Sequence, residues 1–465
     1  MRVNRRHFLT AIGAYTIIPP FVATAQDKAK AEKTVVLPGT PLRRVLPSGL
    51  RLIVVERPDA ALVGVSLAVR VGSGDEERSR SGTLHFIEHL VFKGSEGKLP
   101  GAVDLETENL GGEVAARTLR DATFFEATVA LENWQALLTA LADLTLRPAF
   151  RTADIEAEKK VVQAEMALER VDPLRTGIAA ATNVLYLPGE PYGTPLFGEW
   201  PIVSRLTAED LTAVHIACYR PARMTLCVVG PVVAAEVEAV ATRLFAGPKA
   251  APVVRPLRQV LLVPPTRDGL GRRAAEESDA ALRGVTTLVC VWSVPPAADV
   301  SSSSALAVLA ETLARGDEGR LGVALVRKQG VALRVRAELT PQRCGGLFTI
   351  AVTGLPKDAR RLEMALLDEL RRIFEDGFSA EELEAGRRAV RGRVVTESAS
   401  VDGLAHRLTV HDALDAPGLE EELEKQIPLV RGEALQALLR TVLHPNLRTV
   451  AILGPQPLIM PDGGG

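Results

Sequence analysis

The sequence predicts an α+β fold of two similar α/β-layered halves, a duplicated domain, joined by a linker, each half a sheet packed with helices. Three observations predict it. Runs of β-formers are mixed with several long helical segments. A stretch rich in Pro, Gly and charge, residues 247–283, separates two such regions. The halves also end with a weak echo. Tyr219-Arg220-Pro221-Ala222-Arg223-Met224-Thr225-Leu226 leads to Val228-Val229-Gly230-Pro231, and His444-Pro445-Asn446-Leu447-Arg448-Thr449-Val450 leads to Ile452-Leu453-Gly454-Pro455.

In chain order, residues 1–26 read as an export signal. Arg2, Arg5 and Arg6 form a basic start, an apolar stretch runs from Phe8 to Phe21, and Ala23-Thr24-Ala25 offers a small-residue cleavage site. Pro19 and Pro20 break the stretch, so a membrane-spanning helix is a poor reading. Arg5-Arg6-His7-Phe8-Leu9-Thr10 resembles the twin-arginine motif, with an ordinary secretory signal as the alternative. The expectation is a periplasmic or exported protein with no membrane segment in its mature form. Residues 27–40 are polar and read as a linker.

Residues 40–245 form the first expected domain. Leu50 to Val55 and Val63 to Val71 read as strands, broken by Gly72-Ser73-Gly74-Asp75. Helices follow at Leu84 to Lys93, stopped by Gly94, and at Trp134 to Leu146, ended before Pro148. Another starts near Thr152, with Asp154 and Glu156 in its first turn, and breaks near Pro173. Thr225 to Val229 is a short buried strand. After the linker at 247–283, residues 284–456 form the second domain, with Thr287 to Val294 as a strand and Ala305 to Ala314 and Leu362 to Phe374 as further elements.

Composition narrows the function classes. The 465 residues fit two or three domains, and 47% apolar content is ample for a core. A net charge of -2 gives no reason to expect nucleic acid or an anionic membrane as partner. Cys218, Cys227, Cys290 and Cys344 form no C-x-x-C pair and are too sparse for a disulfide framework, though a single bridge stays open. Aromatic residues, at 4%, are too few for a stacking platform.

The chemistry-bearing motif is Leu84-His85-Phe86-Ile87-Glu88-His89-Leu90. On a helix, His85, Glu88 and His89 share one face. Two imidazoles one turn apart can bind one zinc, with Glu88 beside the open position; this is the inverse of H-E-x-x-H. A core-facing helix with two buried histidines fits poorly, because three clustered ionisable groups need partners. Glu158 and Glu165, seven apart beside Val161 and Val162, share a face of the helix from Glu156 to Arg170. From spacing alone, a solvated acidic helix is the better reading, since Glu156 and Glu169 are also present. His406 and His411 lie five apart and read as surface residues; His215 and His444 read as structural.

Gly82-Thr83-Leu84-His85-Phe86-Ile87-Glu88-His89-Leu90-Val91-Phe92-Lys93-Gly94-Ser95 resembles the central motif of the pitrilysin/insulinase family of zinc metallopeptidases. Pro191-Tyr192-Gly193-Thr194-Pro195 and Tyr219-Arg220-Pro221 resemble later family signatures. The resemblance implies a zinc-dependent endopeptidase acting on peptides or unfolded polypeptides. It implies His85, His89 and Glu165 as zinc ligands, Glu88 as general base on the attacking water, and Glu158 as a supporting acid. It places substrate along Ala115-Ala116 and at Arg327. Two departures stand out: Ala115 occupies a position where the family has Asn, and Leu333 one where it has Tyr. For Arg327, a surface arginine is the alternative.

Two rivals remain. One is a non-catalytic or weakly active subunit that shapes a peptide chamber. The other is a zinc hydrolase of non-peptide amides. The family's chamber needs four halves, so a dimer is expected: a heterodimer with this chain bearing the metal, or a homodimer.

Overall fold

A computed structural model describes residues 39–95, 97–255, 257–263, 273–278, 284–356 and 359–455. The expected export signal and nearly all of the linker at 27–40 lie outside these residues. The first half contains β1 (Leu42–Val45), β2 (Arg51–Glu56), β3 (Leu62–Val69), α1 (Thr83–Val91), α2 (Ala102–Asn109), β4 (Ala115–Thr118) and β5 (Thr123–Ala130). It continues with α3 (Trp134–Leu146), α4 (Thr152–Glu169), α5 (Pro173–Leu185), α6 (Trp200–Val203), α7 (Ala208–Cys218), β6 (Met224–Gly230) and α8 (Ala234–Leu244). The second half contains β7 (Arg273–Ser278), β8 (Thr286–Val294), α9 (Val300–Ala314), β9 (Arg334–Thr340) and β10 (Gly346–Gly354). It ends with α10 (Ala359–Asp376), α11 (Ala380–Ala399), α12 (Val401–Ala413), α13 (Leu419–Gln426), α14 (Gly432–Thr441) and β11 (Thr449–Gly454).

The predicted duplication is present in the topology. The first sheet runs β1-β2-β6-β3-β5-β4 and the second β7-β11-β8-β10-β9. Leaving out β1, the two orders correspond strand for strand in chain order. In each, the last strand pairs parallel with the first and antiparallel with the second. Each sheet buries both faces. β3, Leu-Val-Gly-Val-Ser-Leu-Ala-Val, is buried from Val63 onward, the near-continuous apolar run of a strand covered on two sides.

The halves exchange a helix. α5 belongs to the first half by sequence but packs on β8 and β11 of the second sheet. α12 belongs to the second half but packs on β3 and β6 of the first. A glycine permits each approach. A Cβ on Gly177 of α5 would lie 2.5 Å from Val289 Cγ2, and one on Gly64 of β3 would lie 2.6 Å from the Val401 carbonyl carbon of α12. Val401, Leu404, Ala405 and Leu408 form one core cluster with Ile53, Val55, Cys227 and Val229. Neither half is therefore closed without the other. Asp415, just after α12, reinforces the junction in a left-handed conformation (φ 55) that Asp tolerates better than most residues. Its carboxylate accepts hydrogen bonds from Arg70 (3.2 Å) and Arg255 (3.2 Å), offsetting the cost of burying those guanidiniums.

Several expectations need correction. β7 lies inside the expected linker 247–283. Arg273-Ala274-Ala275-Glu276-Glu277-Ser278 has no apolar alternation, but an edge strand needs only one hydrogen-bonded neighbour, here β11. Pro173 does more than end a helix: it is the first residue of α5, capped by Asp172. His406 and His411 are not simple surface residues. His406 Nδ1 lies 2.7 Å from Glu126 across the helix exchange, and His411 Nδ1 lies 3.0 Å from Glu420. Spacing along the chain could not show these partners, because Glu126 belongs to the other half. His215 and His444 are structural: His215 Nε2 bonds the Thr145 carbonyl (2.8 Å), and His444 Nδ1 accepts from the Asn446 amide (3.1 Å). Among the described residues, none of the four cysteines forms a disulfide. Among the described residues, no helix is long and apolar enough to cross a membrane.

Candidate metal centre

α1 places the motif. Phe86, Ile87, Leu90 and Val91 enter the first core, which leaves His85, Glu88 and His89 on the face toward α4 and β4. The helix starts at Gly82, whose positive φ of 88° and close approach to the Phe197 carbonyl oxygen, 2.6 Å from a built Cβ, exclude other residues. Gly82 has no side chain to cap the helix. Buried Glu76 does so from outside, accepting from the amides of Gly82 (2.8 Å) and Leu84 (2.6 Å). Burial raises the Glu76 carboxyl to about 7, against the pull of those two amides.

α4 supplies the acids. Glu165 Oε2 lies 3.1 Å from His89 Nε2 and 3.6 Å from His85 Nε2, and the two Nε2 atoms are 3.2 Å apart. Tetrahedral zinc with ligands at about 2.0–2.1 Å would separate two of them by roughly 3.3 Å, so the imidazole pair has the right spacing. Glu165 Oε2 is buried without a hydrogen-bond partner, as expected of an atom whose proper partner is a cation. One ligand atom from each of His85, His89 and Glu165 lies within 4.8 Å of the others. The residues fit the ion.

Surrounding groups orient the set. Glu158 Oε1 sits 2.9 Å from His89 Nδ1, which turns Nε2 toward the cluster, and Glu158 Oε2 accepts from Lys93 Nζ (2.8 Å). Burial pushes the Glu158 carboxyl up, but His89 and Lys93 outweigh it and hold it below its usual range. Burial likewise lowers His89, yet the flanking carboxylates of Glu158 and Glu165 outweigh it and hold the imidazole at about 10. Burial, with His89 beside it, keeps His85 well below the usual imidazole value and therefore neutral. Its ring stacks on Phe197, centroids 4.3 Å apart. Glu88 is buried and raised by that burial, with His89 and the Thr118 hydroxyl (2.7 Å to Oε2) opposing. A carboxyl raised in this way is suited to take up a proton.

The remaining sequence-predicted residues are placed as follows. Ala115 is exposed and Ala116 half-buried on β4, the free edge of the first sheet. Arg327 lies in a π-helical turn of the second half and pairs with Glu318, away from the motif's own contacts. Leu333 is exposed. Sequence reasoning gave no role to Glu76, Lys93, Thr118 or Phe197. Lys93, four residues after His89, carried a helical-spacing signal; the other three are joined to the site only by the fold.

A family model described as insulinase (peptidase family M16) matches residues 51–175, and one described as peptidase M16 inactive domain matches 205–390. The chain belongs to the pitrilysin/insulinase family. An uncharacterized zinc protease of Mycobacterium leprae is 27% identical over 92% of this chain and 95% of its own length. Mitochondrial-processing peptidase subunit beta of Caenorhabditis elegans is 28% identical over 43% of each chain. The crystal structure of a protease from Helicobacter pylori superposes with a TM-score of 0.82 at 20% identity, covering 90% of this chain and all (100%) of that one. The peptidase M16 inactive domain from Pseudomonas fluorescens gives 0.79 at 18% identity, over 90% and 98%. These two share the M16 fold of paired α/β halves.

Proposed function

We propose that this chain is a zinc-dependent endopeptidase of peptides or unfolded polypeptides. The convergence of His85 Nε2, His89 Nε2 and Glu165 Oε2, with Glu88 beside them, carries the reading. A zinc ion held there would supply Lewis acidity toward a peptide carbonyl and a water molecule. Glu88 takes the proton from the attacking water and delivers it to the leaving amine nitrogen. Thr118 fixes the Glu88 carboxylate in one orientation. Lys93 and Glu158 hold the His89 ring. β4, an open sheet edge beside Glu88, offers backbone hydrogen bonds to an extended substrate, which gives affinity with loose sequence demands.

The second reading, a non-catalytic chamber subunit, is favoured by Ala115 in place of Asn and Leu333 in place of Tyr. The inactive-domain family model matches residues 205–390, a span that contains none of His85, His89 and Glu165. Assembly as a heterodimer or homodimer, and export through the Arg5-Arg6 signal, belong to the same proposal. The purified chain should degrade an unstructured peptide, stop with a chelator and resume with zinc. A zinc-loaded chain that cleaves no peptide would favour the second reading.

A further inference from the structure

The free edge that would receive substrate has two unlike faces. Side chains alternate along β4. Thr118 turns toward α1 and meets Glu88 (2.7 Å), whereas Arg117 turns to the opposite face, toward α12. There Arg117 Nη2 donates to Glu126 Oε2 (2.7 Å) and lies 3.1 Å from His406 Nε2, and its guanidinium lies over the Phe124 ring at 5.9 Å. Glu126 is fully engaged: Oε1 accepts from Ser66 Oγ (2.9 Å) and faces His406 Nδ1 (2.7 Å). The exchanged helix α12 thus contributes His406 to hold Arg117 in place. The Arg117 side chain is still 45% exposed, and only its Nη2 is used in these bonds. A guanidinium has five N–H donors, so several remain for a ligand.

We propose that Arg117 is a specificity-determining residue that selects an acidic side chain at the substrate position paired opposite it on β4. The inference rests on the peptidase reading above. When a strand is added to an edge, a residue directly opposite points to the same face, with Cβ atoms about 4.5–5.5 Å apart. An Asp or Glu there reaches the free donors of Arg117. A Lys there meets a like charge held in place by Glu126 and His406. The neighbouring same-face residue, Ala115, is small and exposed and sets no limit of its own.

The test uses the zinc-loaded full chain and unstructured peptides that differ at one position, filled by Glu, Gln or Lys and moved along the segment flanking the cleaved bond. At one position the Glu peptide should exceed the Gln peptide in kcat/KM by about two- to fivefold, the range of an exposed ion pair, with Lys lowest. Arg117→Lys should keep that order, Arg117→Gln should flatten it, and Arg117→Glu should reverse it in favour of Lys. Reversal cannot come from a folding defect, which lowers all peptides together. Cleavage with no charge preference at any position, or an order unchanged in Arg117→Glu, overturns the inference and leaves the peptidase reading standing. A zinc-loaded wild-type chain that cleaves none of the peptides overturns both.

Discussion

The two halves share one strand order but differ between their equivalent helix pairs. In the first half, α1 and α4 enclose His85, His89, Glu158 and Glu165. In the second, α9 and α11 pack directly, and a Cβ on Gly386 of α11 would lie 2.2 Å from Thr312 Oγ1 of α9. One pair holds ionisable groups apart at coordination distance; the other closes at Gly386 and Thr312, with an Arg393–Glu311 ion pair (2.8 Å) at its exposed side. The first-helix caps differ as well. α9 carries a local cap, Asp299 to the Ser302 amide (3.1 Å), whereas α1 is capped by the remote, buried Glu76. The fold can therefore be built without the metal set. What the first half adds is buried charge, which costs stability unless a cation compensates it.

The largest effect should come from Glu88→Gln. Loss of the general base should cut kcat by about 10²–10⁴-fold while bound zinc is unchanged, measured by peptide turnover and elemental analysis of the same sample. Full turnover would remove Glu88 from its role. The ligand set comes next. His85→Ala or His89→Ala should lose most zinc yet keep the native circular dichroism spectrum, because the second half shows that this helix pair folds without metal. Glu158→Gln should weaken zinc binding by about 10–100-fold, less than Glu165→Gln does; the reverse order would exchange their roles.

Gly386→Ala sharpens the comparison from the other side. Its methyl group would collide with Thr312, lowering unfolding stability by about 1–3 kcal/mol in chemical denaturation without changing zinc content. The smallest effect concerns the caps. Glu76 has a folded pKa of about 7 against a usual 4.5. The folded state thus holds this proton more tightly, and the resulting stability is present below about 4.5 and lost as pH rises through 7. Wild type should lose stability relative to Glu76→Gln across that window, followed by thermal melts. A pH-independent difference would show that the carboxylate is charged throughout.

Much of this contrast was legible in the sequence. Helix spacing gave the shared face of His85, Glu88 and His89, and α3 was read residue for residue, because Leu137, Leu138, Leu141 and Leu144 enter the core at helical spacing and Pro148 limits its end. Glu165 was different. Its spacing from Glu158 fitted a solvated helix better than a metal wall, and only the family resemblance singled it out. β7 was invisible because its polar sequence carries no strand periodicity. The exchange of α5 and α12 was hidden because an apolar helix face does not state which sheet it covers. Gly64 and Gly177 mark those contacts, but a glycine in a strand or helix has many other uses. Glu126 and His406 lie 280 positions apart, so their 2.7 Å contact could come only from the folded chain.

The proposed function has one half of this duplicated fold hold a metal and the other none. Zinc stoichiometry tests it most directly, measured by elemental analysis on purified wild type and on Glu165→Gln. One zinc per wild-type chain and a marked loss in the variant are expected. No zinc in the wild type, two per chain, or full retention in Glu165→Gln would contradict the proposal.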